Sequence, residues 1–146
     1  MCQTRDRSTS LKYQIADQST SRIVSSSEEE EVRLTPDTTS GVLIVLTTLG
    51  AGADAGALAR TLVGERLAAC VSILPVMRSV YRWQGQVEEE HEQQLVIKTS
   101  APRLEALKAR LLALHPYETP ELIVLEAAGS DAASDAYARW VKESTA

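Results

Sequence analysis

Aliphatic residues are sparse and aperiodic through position 39, then fall into short, regular groups. Val42-Leu43-Ile44-Val45-Leu46 is a continuous apolar run rich in β-branched residues, which predicts a buried strand. Gly50, Gly52 and Asp54 break that run and open a helix, with Leu58, Leu62, Val63 and Leu67 assigned to its apolar face. Residues 71–83 read as a second, long strand. Pro75 inside it has no amide donor, so the strand belongs at an edge or a bulge. Gln84-Gly85 supplies a hairpin turn, and the return strand runs from Gln86-Val87 to Leu95-Val96-Ile97. Between them, residues 88–94 are too polar for burial, which predicts a hairpin projecting into solvent.

Ser100 as cap and Pro102 in the first turn start the next helix. Leu104, Leu107, Leu111 and Leu114 line its dry side, leaving Arg103, Lys108 and Arg110 for water. His115-Pro116 ends it, because a residue before proline resists α geometry. Residues 122–125 form a fourth strand. Residues 135–142 form a last helix, with Tyr137, Trp140 and Val141 on one side. The order βαββαβ plus a C-terminal helix predicts an α+β fold. Its sheet is ferredoxin-like and antiparallel, with both main helices on one face. The strands nevertheless carry apolar residues toward both faces. A second copy of the chain is the natural cover for the bare face and the hairpin edges, so an oligomer is expected.

Composition divides the chain in two. Residues 1–39 are rich in Ser and Thr, contain the run Glu28-Glu29-Glu30-Glu31, and read as a disordered extension. Residues 40–146 read as one compact domain. Phe is absent, so the core is built from Leu, Val, Ile and Ala. The net charge of -5 argues against a dedicated nucleic-acid binder. No apolar run approaches the ~20 residues of a membrane helix. The two cysteines, Cys2 and Cys70, form no disulfide framework, which fits a reducing cytoplasm.

Candidate chemistry is thin. Cys70 reads either as a small buried hydrophobe or as a soft metal ligand, and a lone thiolate holds copper poorly. His115 is a helix-end packing residue or a ligand. His91 sits in Glu88-Glu89-Glu90-His91-Glu92, a run that attracts cations loosely or is simply a solvated surface. Tyr117, Glu118 and Glu121 lie in a helix-to-strand loop, where binding residues often sit. No GxSxG, P-loop or HExxH signature occurs, so no enzyme is expected and no organic cofactor is called for.

Four motifs in register are similar to the CutA family of divalent-cation tolerance proteins: Leu67-Ala68-Ala69-Cys70-Val71, Ser79-Val80-Tyr81-Arg82-Trp83-Gln84-Gly85, Lys98-Thr99, and His115-Pro116-Tyr117-Glu118-Thr119-Pro120-Glu121. The resemblance covers residues 42–143 and omits the tail. It implies a ferredoxin-like subunit in a tight homotrimer built through long hairpin strands, in the cytoplasm, with a link to copper or another divalent cation. It also implies a cleft between subunits formed by Lys98, Tyr117 and Glu118, with Trp83 packing across the interface. Family members with a metal site carry a Cys where this chain has Thr47 and a second His where it has Leu114. That leaves His115 and Cys70 as the metal candidates. Two rival classes are a small-molecule sensor resembling the P-II signalling trimers and a structural trimer that binds a protein partner. The two-residue turn and the acidic hairpin count against the first.

Overall fold

The computed structural model describes residues 39–128 and 132–146. The expected extension therefore lies outside the described residues, apart from Thr39. The chain is α+β, built on one antiparallel sheet. In order come β1 (Thr39–Gly50), α1 (Ala55–Gly64), β2 (Cys70–Ile73), β3 (Met77–Trp83) and β4 (Gln86–Ser100). A 3-10 turn (Ala101–Arg103), α2 (Leu104–Leu114), β5 (Ile123–Ala128) and α3 (Ala132–Ser144) follow. Strand order is β2-β4-β1-β5, with β3 also paired to β4.

β4 organises the sheet. One edge pairs with β1 from Val42↔Ser100 to Gly50↔Glu92. Its other edge carries β2 on Leu95 to Lys98 and β3 on Gln86 to Glu92. Pro75 falls in the gap between β2 and β3, at the sheet's edge, where a missing donor costs no ladder bond. The hairpin turns through Gln84 and Gly85, both at positive φ (45° and 79°). That pairing matches the right-handed twist of the flanking strands.

Asp54 caps α1 by accepting a hydrogen bond from the Ala57 amide at 2.8 Å. α1 and α2 pack on one side of the sheet over Val45, Leu49, Leu58, Leu62, Leu95, Ile97, Leu107 and Leu111. Each fully buried aliphatic side chain there contributes about 1.5–3 kcal/mol through lost contact with water. Strand alternation sends Val42 to the opposite side, where Ala138 and Val141 of α3 cover it. Among the described residues, helices thus close one face and one end of the other.

Several positions differ from the sequence reading. Val63 is 41% exposed, because it lies about 140° round the helix from Leu58. Leu114 and the aromatic pair Tyr137–Trp140 are likewise exposed. Ser100 makes no capping bond; its hydroxyl pairs with that of Thr145 at 2.8 Å. Arg103 turns inward, its Nε donating to the Thr145 carbonyl at 2.6 Å. Glu92 was expected in solvent and is 2% exposed. The ladder sets it opposite Gly50 at the end of β1, under Tyr117.

Candidate functional site

Two groups of polar side chains stand at opposite ends of the central strands. The first begins where α2 stops. Pro116 holds His115 extended (φ -75°, ψ 133°), which turns the imidazole back over the end of β1. Its Nδ1 accepts from the Tyr117 amide at 3.0 Å, so the ring proton sits on Nε2. Nε2 donates to the Thr48 carbonyl at 3.0 Å, with the Thr47 hydroxyl at 3.2 Å. Burial pushes this imidazole below its ordinary 6.5, outweighing the upward pull of the Thr48 carbonyl and the Glu92 carboxylate. The ring is neutral, and both nitrogens are engaged.

The Tyr117 hydroxyl donates to Glu92 Oε1 at 3.1 Å. A side chain at position 50 would meet that hydroxyl at 3.2 Å, so glycine there gives Tyr117 its path. Gln94 Nε2 bridges the Thr47 carbonyl (2.9 Å) and Glu121 Oε2 (2.8 Å). Of these residues Glu92, Gln94 and Glu121, with Thr48 and Ser79, give the polar lining of a cavity of about 480 Å³. Carboxylates, hydroxyls and an amide make it an oxygen-rich, acidic cleft, suited to cationic or hydrogen-bond-donating groups. No buried side-chain nitrogen or oxygen among the described residues lacks a partner. The order of this network comes from internal bonds.

The second group lies at the other end. Cys70 on β2 sits opposite Lys98 on β4 and is half-buried rather than lost in the core. Lys98 Nζ donates to the Ser72 hydroxyl and lies 3.8 Å from Cys70 Sγ.

The residues expected to share a cleft are not brought together within one chain. Lys98 and Glu92, the partner of Tyr117, are six positions apart on β4, or about 20 Å. Trp83 pairs with Gln86 at the hairpin tip, about 40 Å along β4 from Lys98. Glu118 is exposed on its loop. The metal candidates are also apart: His115 is at one end, Cys70 at the other, and His91 is exposed on the hairpin. Thr47 offers a hydroxyl, and Leu114 no donor at all. Among the described residues no three His, Cys, Asp or Glu side chains are grouped to hold a metal ion. The residues present do not fit a thiolate–imidazole copper centre. Sequence reading missed the roles of Glu92, Gln94 and Ser72. Counting alternate positions back from Lys98 along β4 (96, 94, 92) would have placed the first two on its face of the sheet.

Residues 43–144 match the family described as CutA1 divalent ion tolerance protein. The divalent-cation tolerance protein CutA of Thermus thermophilus is 43% identical over 102 residues, covering 70% of this chain and 96% of that one. The chloroplastic protein CutA of Arabidopsis thaliana is 46% identical over 88 residues, 60% of this chain and 47% of that one. The solved structure of CutA from Synechococcus elongatus superimposes with a TM-score of 0.68 at 40% identity, covering 75% of this chain and 94% of that one.

Proposed function

The chain belongs to the CutA1 divalent ion tolerance family, and from that premise we propose that it works as a homotrimer of ferredoxin-like subunits in the tolerance of divalent cations. One observation carries the assembly. Opposite the face closed by α1 and α2, Ile44, Leu46 and Val96 are half-buried, and Ile123 and Leu125 are exposed. The ladders set these side chains in adjacent rungs, Ile44 beside Leu125 and Leu46 beside Ile123 and Val96. A contiguous apolar patch in the middle of a sheet needs a cover. Met77, Tyr81 and Trp83 extend the same side along the hairpin, where β4 is the strand that β3 pairs with among the described residues. The cleft expected from Lys98, Tyr117, Glu118 and Trp83 is then one shared between copies, because a single chain sets Lys98 about 20 Å along β4 from the Glu92 rung that holds Tyr117 and about 40 Å from Trp83.

The names of the relatives speak of divalent cations, and a role toward copper or another divalent ion comes to this chain by kinship. With the His115 nitrogens engaged and Cys70 distant, binding is weak and falls to carboxylate, hydroxyl and carbonyl oxygens. The role is not catalytic, and the free thiol of Cys70 suits a reducing cytoplasm.

Light scattering on the intact chain tests the assembly, and the expected mass is about three times 15.9 kDa. A monomer at micromolar concentration overturns it. Calorimetric titration with Cu(II) and Zn(II) tests the metal reading. Tight binding that disappears in His115→Ala would contradict it.

A further inference from the structure

At the end of the sheet where β1 starts, strand and helices surround a basic hollow. Gly41, Ser100, Pro102, Arg103, Lys142 and Thr145 are among the residues around this cavity of about 480 Å³. No Asp or Glu among the described residues lines it. It equals the acidic cleft in volume and opposes it in charge. None of the residues placed at the proposed contact between copies belongs to its lining.

Two cations supply its donors. The Ser100 and Thr145 hydroxyls are spent on each other at 2.8 Å. Arg103 is half-buried, and its Nε donates to the Thr145 carbonyl, which fixes the guanidinium and leaves the Nη groups for a ligand. Gly41 has a φ of 69°, and a Cβ there would stand 3.1 Å from Lys142 Cε and 3.4 Å from its Nζ. Glycine thus lets the ammonium lie over the backbone at the entry to β1. Arg66 faces Ala146 instead, donating to its carbonyl oxygen at 3.3 Å. Among the described residues no carboxylate lies within ion-pair distance of Arg103 or Lys142, whereas Arg78, Lys108 and Arg110 each have one.

The sequence puts the opposite charge next to this hollow. Residues 28–38 carry five carboxylates, those of Glu28 to Glu31 and Asp37, against one guanidinium, that of Arg33. The ten residues from Glu31 to Gly41 span at most about 33–36 Å. Ser40 pins the junction: its hydroxyl donates to the Ala127 carbonyl at 2.7 Å and accepts from the Val42 amide at 3.2 Å. A tether this short holds the acidic run near the hollow at an effective concentration of order millimolar. We infer that the hollow is the docking place of the chain's own run Glu28–Glu31, held by Arg103 and Lys142. The contact is electrostatic and lies near the surface, so it is sensitive to salt and adds little to stability. It leaves the open face of the sheet to a second copy.

Carbodiimide cross-linking of the intact chain, read by peptide mass spectrometry, tests the docking, because the reagent joins a carboxylate to an amine in direct contact. At low salt, links from Glu28–Glu31 to Lys142 are expected well above those to Lys108. In about 0.5 M NaCl, where the screening length is near 4 Å, they fall about threefold or more. Arg103→Gln leaves both reacting groups in place and lowers the yield about two- to fivefold through lost attraction. Lys142→Arg, which keeps the charge and removes the amine, abolishes the product. If Arg103→Gln fails to fold by circular dichroism, the salt dependence of the unaltered chain decides. Equal yields at Lys142 and Lys108, a yield indifferent to salt, or one unchanged in folded Arg103→Gln overturns the proposal. Loss of the links in sodium sulfate but not in NaCl of the same ionic strength gives the hollow to a free anion and overturns the assignment to the tail. Links found only between isotopically light and heavy chains of mixed assemblies overturn it too, since the run would then come from a neighbouring copy.

Discussion

The two faces of the sheet are built from the same strands and the same kinds of residue, yet the described residues finish only one of them. Val45, Leu95 and Ile97 are wholly buried beneath α1 and α2. One position along the same strands, Ile44, Leu46 and Val96 are only half-covered. The difference lies in the supply of helices. α1 and α2 land on the same side, and α3 reaches only the Val42 end of the other. On the assembly proposed above, an apolar run in a strand reports burial between copies as well as within one chain.

The largest effect should come from the finished face. Leu111→Ala is expected to cost about 2–5 kcal/mol in urea unfolding, since the side chain is fully buried and leaves a cavity. Leu125→Ala, measured where the chain is monomeric, should cost far less. Equal losses would mean that the two faces are not distinct. Next comes Leu125→Lys, a charge in the centre of the open patch. Its expected outcome is a folded chain whose mass by light scattering is one 15.9 kDa unit rather than three. An undiminished mass would move the interface elsewhere.

A smaller effect follows from His115. Its folded pKa lies below 6.5, so the unfolded chain binds its proton first. The stabilisation is complete above about pH 6.5 and is lost as pH falls through the folded value, with a slope approaching at most one proton. Urea titrations at stepped pH should show this fall, and His115→Gln should flatten it. A rise in stability on acidification would show that the ring is charged. The smallest effect is expected from removing residues 1–38. Their low aliphatic content suits them poorly to cover the open face, and a midpoint shift within about 2 °C is anticipated. A large drop would make the tail, rather than a second copy, the cover.

Element types were legible because runs such as Val42 to Leu46 and the spacing of Leu104, Leu107 and Leu111 are local signals. Lengths were less so. β1 continues through Thr47 and Thr48 to Gly50 because β4 supplies ladder partners that its own polarity does not announce. The site was legible mainly by residue type. His115, Tyr117, Lys98 and Cys70 were all singled out, but grouping them needs the register of β2, β4 and β1, a property of distant pairing. Glu92 shows the same gap. Inside a run of charges it reads as solvated, and only the rung with Gly50 and the hydroxyl of Tyr117 explain its burial.

Two leucines make the most direct test of the central claim. Leu125, on the open face, and Leu112, on the outer side of α2, are almost equally exposed in one chain, at 49% and 52%. Hydroxyl-radical footprinting of the intact protein at micromolar concentration compares them with no difference in side-chain chemistry. The account predicts strong labelling of Leu112 and protection of Leu125. Equal labelling of the two would contradict it.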